Sequence, residues 1–317
     1  MKKLILGLGA GALTFGGAAF AYKKVMKFFF NMALERETKY FKVRAEENGP
    51  YRDIILAGEA KFGSWPCEHV YTTSFDGLTL HGRFYQQEGA KRTMVLVHGW
   101  RGGWDYDFCL GGPWLYEEGY NLLVIDQRAQ GESEGEYMSM GIKERKDCHT
   151  WLKWLEEHTD ATKLPVYFMG ISMGASTVLM ASGEKMPDYV KGIIADCGYT
   201  TPYDMLFNYG HKVYRIPDFP LMRMFNQYCI KHADVDLKGY STLDAMETNE
   251  LPIYFIHGKG DTFVPYEMTL KNYEACKSMK KLLLVEAAPH GMSFLFDRDS
   301  YVKEAHAFFD ACESIQE

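Results

Sequence analysis

Two hydrophobic patterns alternate along most of this chain. Six short runs are apolar at nearly consecutive positions: TMVLVHG (93–99), NLLVID (121–126), VYFMG (166–170), GIIADC (192–197), IYFIHG (253–258) and KLLLVE (281–286). Such runs predict strands buried on both faces of a parallel sheet. Stretches with helical patterning lie between them, as at 151–155 and 175–181. Ahead of them, HVYTTS and LTLHGRFY flank Phe75-Asp76-Gly77 and read as an antiparallel hairpin with an Asp-Gly turn. Strand–helix alternation predicts an α/β fold. The expected architecture is an eight-stranded, mostly parallel sheet with helices on both faces. The interval 199–250 exceeds an ordinary crossover and predicts a helical cap inserted after strand six.

The start of the chain follows neither pattern. Residues 4–22 carry no charge and are bracketed by Lys2 and Lys3 on one side and Lys23, Lys24 and Lys27 on the other. A spanning helix needs roughly 20 apolar residues, and Tyr22 stands where an interfacial aromatic belongs. Gly7, Gly9 and Ala12 also fit a dinucleotide-binding loop, but no second strand and no ribose-binding acid follow at the required distance. A cleaved signal peptide ending at Ala19-Phe20-Ala21 is a rival. The favoured reading is an uncleaved membrane anchor over 1–22. A juxtamembrane helical segment then covers 23–64, with a break at Asn48-Gly49-Pro50, and the main domain covers 65–317. Lysines are more numerous after the anchor than before it, which favours a cytoplasmic body.

Charge and cysteine narrow the function. The chain has 317 residues and a net charge of −7, with five lysines and no acid among its first 30 residues. The body is therefore acidic and without a basic run, which argues against nucleic acid as a partner. The seven cysteines are scattered and form no C-x-x-C pair, so neither a zinc site nor a disulfide framework is expected.

Gly170-Ile171-Ser172-Met173-Gly174 follows a strand and opens a helical run. This is the strand–turn–helix setting in which G-x-S-x-G presents a nucleophilic serine. A serine hydroxyl needs a base, usually a histidine held by a carboxylate. Asp261 lies just past the seventh strand and His290 just past the eighth, in the chain order Ser…Asp…His. Asp196, at the end of the sixth strand, is a rival acid ranked behind Asp261. His98 and His257 also end strands, and a structural role is favoured for His257. The oxyanion of a tetrahedral intermediate needs donors. The backbone N–H of Met173 and that of Trp100, in the loop after the third strand, are the candidates. The Trp100 indole would also wall an acyl pocket.

The segments SFDGLTLHGRFY, VLVHGWRGG, VIDQRAQGESEG, GISMG, HGKGDTFVP and PHGMSF together resemble the α/β-hydrolase superfamily, in its bacterial serine aminopeptidase-like and monoacylglycerol lipase-like branch. The resemblance runs from about Trp65 to the C-terminus. It implies that the 126–133 loop is structural, with Asp126 and Arg128 bracing a turn beside the site. The cap is rich in aromatic residues and methionine, including Tyr203, Met205, Phe207, Met222, Met224 and Phe225. These suit an acyl chain or an aromatic ester, although at least half are needed to pack the cap itself. His211 and His232 have no visible partner in the sequence.

The expected activity is that of a membrane-anchored serine hydrolase cleaving small-molecule acyl esters through an acyl-enzyme, with no metal or organic cofactor. A serine peptidase or amidase on the same machinery is the alternative. A catalytically silent, membrane-tethered binding module ranks below both.

Overall fold

The computed structural model describes residues 15–36 and 49–314. The described residues open with helix α1 (Phe15–Ala33), followed by α2 (Arg52–Gly63), the hairpin β1 (Glu68–Thr73) and β2 (Thr79–Tyr85), then β3 (Thr93–Val97). Next come α3 (Trp104–Asp107), α4 (Gly111–Glu117), β4 (Asn121–Ile125), α5 (Glu144–His158), β5 (Val166–Ile171), α6 (Met173–Ala181) and β6 (Val190–Asp196). Between β6 and β7 (Ile253–Gly258) run α7 (Pro202–Tyr214), α8 (Arg223–Ala233) and α9 (Thr242–Thr248). The chain closes with α10 (Tyr266–Ala275), β8 (Lys280–Val285), α11 (Ser293–Phe296) and α12 (Arg298–Ser314).

The eight strands form one sheet in the order β1-β2-β4-β3-β5-β6-β7-β8. β2 is antiparallel to both β1 and β4, and every other pair is parallel. The expected eight-stranded α/β architecture is therefore the one that forms. β3, β4, β5 and β7 are buried at every position, which is why they read as unbroken apolar runs. One face of the sheet packs on α5, α6 and α9 around Trp151, Leu155 and Val178. The other packs on α4 and α12 around Trp114, Tyr167 and Phe308.

The expected membrane span is overturned. Among the described residues, no helix is long and apolar enough to cross a membrane. Residues 1–14 of the expected anchor, Gly7, Gly9 and Ala12 included, lie outside the described residues. α1 begins inside the apolar run and continues through the lysines to Ala33. Lys23, Lys24 and Lys27 are exposed, whereas Met26, Phe30 and Ala33 are buried at helical spacing. That apolar stripe is covered by protein: α1 packs on α8, and Phe30 meets the rings of Tyr137 and Tyr228 edge-on at 5.1 and 5.4 Å. The described helix runs on past the lysines, and the aromatic residues after them serve a tertiary contact. The expectation of a membrane localisation, with a membrane as partner through this helix, falls with that finding.

A buried ionic cluster ties the hairpin to the sheet. The Arg128 guanidinium donates to Asp147 on α5 at 2.7 Å through Nε and Nη2, and to Asp76 in the hairpin turn at 2.8 and 3.0 Å. Burial pushes the Asp147 carboxyl up to about 6, and the Arg128 hydrogen bonds oppose that rise. Removing one partner of a buried pair leaves a desolvated charge behind. Arg128→Ala is expected to lower stability by about 3–5 kcal/mol. Arg128→Ala/Asp147→Asn should recover part of that loss in denaturant melts at neutral pH. Equal stability of wild type and Arg128→Ala would refute the bracing role.

Candidate active site

Ser172 sits between the end of β5 and the start of α6 with φ 56° and ψ −116°, a conformation that side-chain-bearing residues rarely adopt. The flanking glycines make it possible. A Cβ on Gly170 would lie 2.4 Å from the Gly174 carbonyl, and one on Gly174 would lie 1.9 Å from the Val97 carbonyl oxygen. The Ser172 N–H donates to the Asp196 carbonyl at 2.8 Å, which pins the turn to β6. The hydroxyl is thereby held above the sheet at the carboxyl ends of the strands.

Three of the expected residues converge. Ser172 Oγ lies 2.8 Å from His290 Nε2, and His290 Nδ1 lies 2.6 Å from Asp261 Oδ2. Asp261 Oδ1 accepts the N–H groups of Phe263 and Val264 at 2.8 and 2.9 Å. Burial alone would raise the Asp261 carboxyl. Hydrogen bonds from His257 and His290 outweigh it and hold the group well below the usual carboxylate range. Asp261 is thus an anion facing two histidines. A neutral His290 with its proton on Nδ1 presents an Nε2 lone pair to Ser172.

The rivals have other partners. The Asp196 carboxylate accepts from Ser293 Oγ at 3.1 Å, and burial pushes its carboxyl up to about 6. His257 is fully buried, with Nδ1 2.7 Å from Thr269 Oγ1 and Nε2 3.1 Å from Asp261 Oδ2. His98 is also buried; its Nε2 accepts the Gln127 N–H at 3.0 Å and so ties the loop after β3 to the loop after β4. In the cap, His211 Nδ1 meets the Ile216 carbonyl at 3.0 Å, and His232 stacks on Tyr228.

Of the two oxyanion candidates, Met173 is the first residue of α6, where a helix has N–H groups with no intrahelical acceptor. Trp100 lines the cavity beside Ser172. Its indole stacks over Phe263, which in turn meets the His290 ring at 5.0 Å. The indole N–H is committed elsewhere, donating to the Ala33 carbonyl at the end of α1 at 2.9 Å.

The cavity has a volume of about 200 Å³. Its apolar wall comes from Ile55 on α2, Leu110 before α4, and Met292, Phe294 and Leu295 in and around α11. No residue of 199–250 lines it. The cap's apolar side chains instead meet α1 and one another, with Met205, Met222 and Phe225 buried alongside Met26 and Phe30. The cap meets the loop that carries Asp261 at two points: Tyr209 packs on Phe263 at 5.1 Å, and Lys212 donates to the Thr262 carbonyl at 2.7 Å.

Two features escaped the sequence reading. Asp107 points into the cavity and accepts the Gly99 N–H at 2.6 Å, and burial raises its carboxyl above the usual range. Arg101, next to Trp100, has φ 56° and grips the C-terminal end of α1. Its guanidinium donates to the carbonyls of Met32, Glu35 and Arg36 at 3.2, 2.6 and 3.1 Å. Cations are favoured where a helix leaves carbonyls without partners. The Arg101 N–H is held by Gln130 Oε1 at 2.6 Å, and Arg36 donates back to the Gly131 carbonyl at 2.7 Å. A lone arginine after His-Gly-Trp carries no local signal of a partner so far away in sequence.

Comparison with known proteins agrees with this architecture. Residues 92–225 match the family model described as alpha/beta hydrolase fold. The uncharacterised Bacillus subtilis protein YqkD is 30% identical over 192 residues, a match covering 61% of this chain and 63% of that relative, so the chain matches less than two thirds of its length. Among solved structures, the Pyrococcus furiosus esterase Pf2001 superposes with a TM-score of 0.63 at 22% identity, covering 86% of this chain and 98% of the esterase. The Pyrococcus horikoshii acylaminoacyl peptidase superposes at 0.55 and 18% identity, covering 77% of this chain and 42% of the peptidase. Sheet order, strand-end geometry and the family match agree on the alpha/beta hydrolase fold.

Proposed function

We propose that this protein is a serine hydrolase that cleaves carboxylic esters of small molecules through an acyl-enzyme. The observation that carries the reading is the continuous hydrogen-bonded series from Ser172 through His290 to Asp261 at a cavity with a largely apolar wall. In this mechanism Ser172 Oγ attacks the ester carbonyl while His290 Nε2 takes its proton. Asp261 holds the imidazole in the required tautomer and stabilises the imidazolium that forms. The backbone N–H groups of Met173 and Trp100 receive the oxyanion. His290 then protonates the leaving alcohol. A water molecule, deprotonated by His290, releases the acid. Gly170 and Gly174 allow the turn that makes the attack possible. Amide cleavage is the second reading, favoured by two carboxylates, Asp107 and Asp196, on the cavity wall, where an acyl group bearing an amine would find partners.

The direct test is hydrolysis of p-nitrophenyl esters from acetate to palmitate. Wild type should turn over the short and medium chains that a cavity of this size admits, and Ser172→Ala should lose on the order of 10⁶-fold in kcat. A folded wild type inactive on every ester but active on aminoacyl amides would overturn the ester reading and leave the nucleophile assignment standing.

Asp261→Asn is expected to fold and to lose about 10⁴-fold in kcat through the wrong histidine tautomer. The same variant tests the linkage to pH. A carboxyl depressed by folding contributes stability that is fully present above its unfolded value of about 3.9 and is lost as pH falls toward the folded value. Wild-type stability should therefore fall more steeply below about pH 4 than that of Asp261→Asn. Parallel acid limbs in thermal melts would contradict the depressed carboxyl.

Arg101 is expected to act as a positioning residue for the oxyanion loop. Arg101→Ala should lower kcat by about 10–100-fold with KM nearly unchanged. Arg101→Lys, which keeps the charge near the α1 carbonyls, should recover part of the loss. A uniform fall in folded fraction with kcat per folded enzyme intact would reduce Arg101 to a purely structural anchor.

A further inference from the structure

At the far edge of the sheet, away from Ser172, three potential metal-ligand atoms meet on the β1–β2 hairpin and the loop after β4. His69 lies on β1 and His81 on β2, with His69 Nδ1 2.9 Å from His81 Nε2. Glu132 brings Oε1 to 4.0 Å from His69 Nδ1 and 3.9 Å from His81 Nε2. A point equidistant from these three atoms lies about 2.1 Å from each, the usual length of a Zn–N or Zn–O bond.

A second, independent observation concerns how His81 is held. Its side chain is fully buried, and its Nδ1 meets the buried Asp126 carboxylate at 2.7 Å. Asp126 also receives the Glu132 N–H at 2.9 Å, so one acid positions two members of the cluster. A carboxylate on Nδ1 places the ring proton there and leaves the Nε2 lone pair facing His69 and Glu132. Carboxylate-bound histidines of this kind are the ordinary outer support of metal sites. Arg83 is the opposing group: its guanidinium lies 3.3 Å from Glu132 Oε1 and 3.6 Å from Asp126 Oδ1.

We propose that His69, His81 and Glu132 form a binding site for a divalent transition-metal ion, zinc by its ligand set, with water completing the coordination. In the metal-free protein, His69 donates its Nδ1 proton to His81 Nε2. Coordination shifts that proton to Nε2 of His69, so both rings stay neutral while their two lone pairs turn to the ion. Arg83 competes for Glu132 and repels the cation, which makes the site weaker than a closed structural zinc site. The consequence is mechanical. The ion joins the hairpin to the 126–133 loop, and that loop holds the Arg101 backbone through Gln130 and receives Arg36 at Gly131 and Ser133.

The test is titration of metal-free, full-length protein with Co²⁺, followed by displacement with Zn²⁺. The expected result is one equivalent bound, with visible d–d bands and no sulfur-to-cobalt charge-transfer band, and a rise in Tm on adding Zn²⁺. His69→Ala and Glu132→Gln should each weaken binding at least tenfold. Both side chains are exposed in large part, so these variants should fold as wild type does, checked by circular dichroism. His290→Ala should bind as wild type does. No binding at millimolar Co²⁺ would overturn the proposal. So would undiminished binding in His69→Ala and Glu132→Gln, or binding lost only in His290→Ala, which would move the ion to the Cys197, Asp261 and His290 cluster.

Discussion

The constraint on which the site depends is the backbone of Ser172. A left-handed φ at a residue with a side chain costs on the order of 1–3 kcal/mol, and it persists only where the surroundings over-determine it. Here three groups do so. Gly174 lets α6 start against the carbonyl ends of β3, Gly170 lets the turn close on itself, and the Ser172 N–H is pinned to β6. Because α6 is buried along its whole length, it cannot shift to relieve the strain. The hydroxyl therefore sits where the ends of β7 and β8 deliver Asp261 and His290. The relay of hydrogen bonds is a consequence of sheet topology acting on one strained turn.

The acid is equally constrained. Asp261 is buried, and a buried carboxylate survives only with donors on its oxygens. It has two backbone N–H groups on one oxygen and two histidines on the other. His257 makes no hydrogen bond to Ser172, yet it shares the Asp261 anion with His290. The two histidines divide the work: His290, in the loop after β8, faces Ser172, and His257, within β7, completes the set of donors around the carboxylate.

Much of this was legible in the chain. The strands were readable because both faces of the sheet are covered, so burial left no polar alternation to confuse the pattern. Ser172, Asp261 and His290 could be named because each follows such a run directly. What was not legible depends on contacts between segments remote in sequence. The apolar stretch before Tyr22 looked like a span because hydropathy counts composition and ignores facing. The described helix continues past the lysines to Ala33, and its stripe of Met26 and Phe30 answers the cap rather than lipid. The cap's own aromatic residues suggested an acyl pocket for the same reason, whereas the cavity wall is built from α2, the segment before α4, and α11. Asp107 gave no sign at all, since a single acid in a helical turn is ordinary until Gly99 and Gly102 are seen to make room for it.

These offsets have one origin. The N-terminal helix occupies the apolar face of the cap, and its C-terminal carbonyls occupy Arg101 and the Trp100 indole. The cap thereby spends its apolar surface on protein. The cavity beside Ser172 is lined instead by α2 and α11 together with the loop after β3. A single helix end thus meets both the loop after β3, through Trp100 and Arg101, and the apolar face of the cap. Arg101 carries that coupling because burial lowers its guanidinium only to about 10. It therefore remains a cation throughout the neutral range, as gripping a helix C-terminus requires.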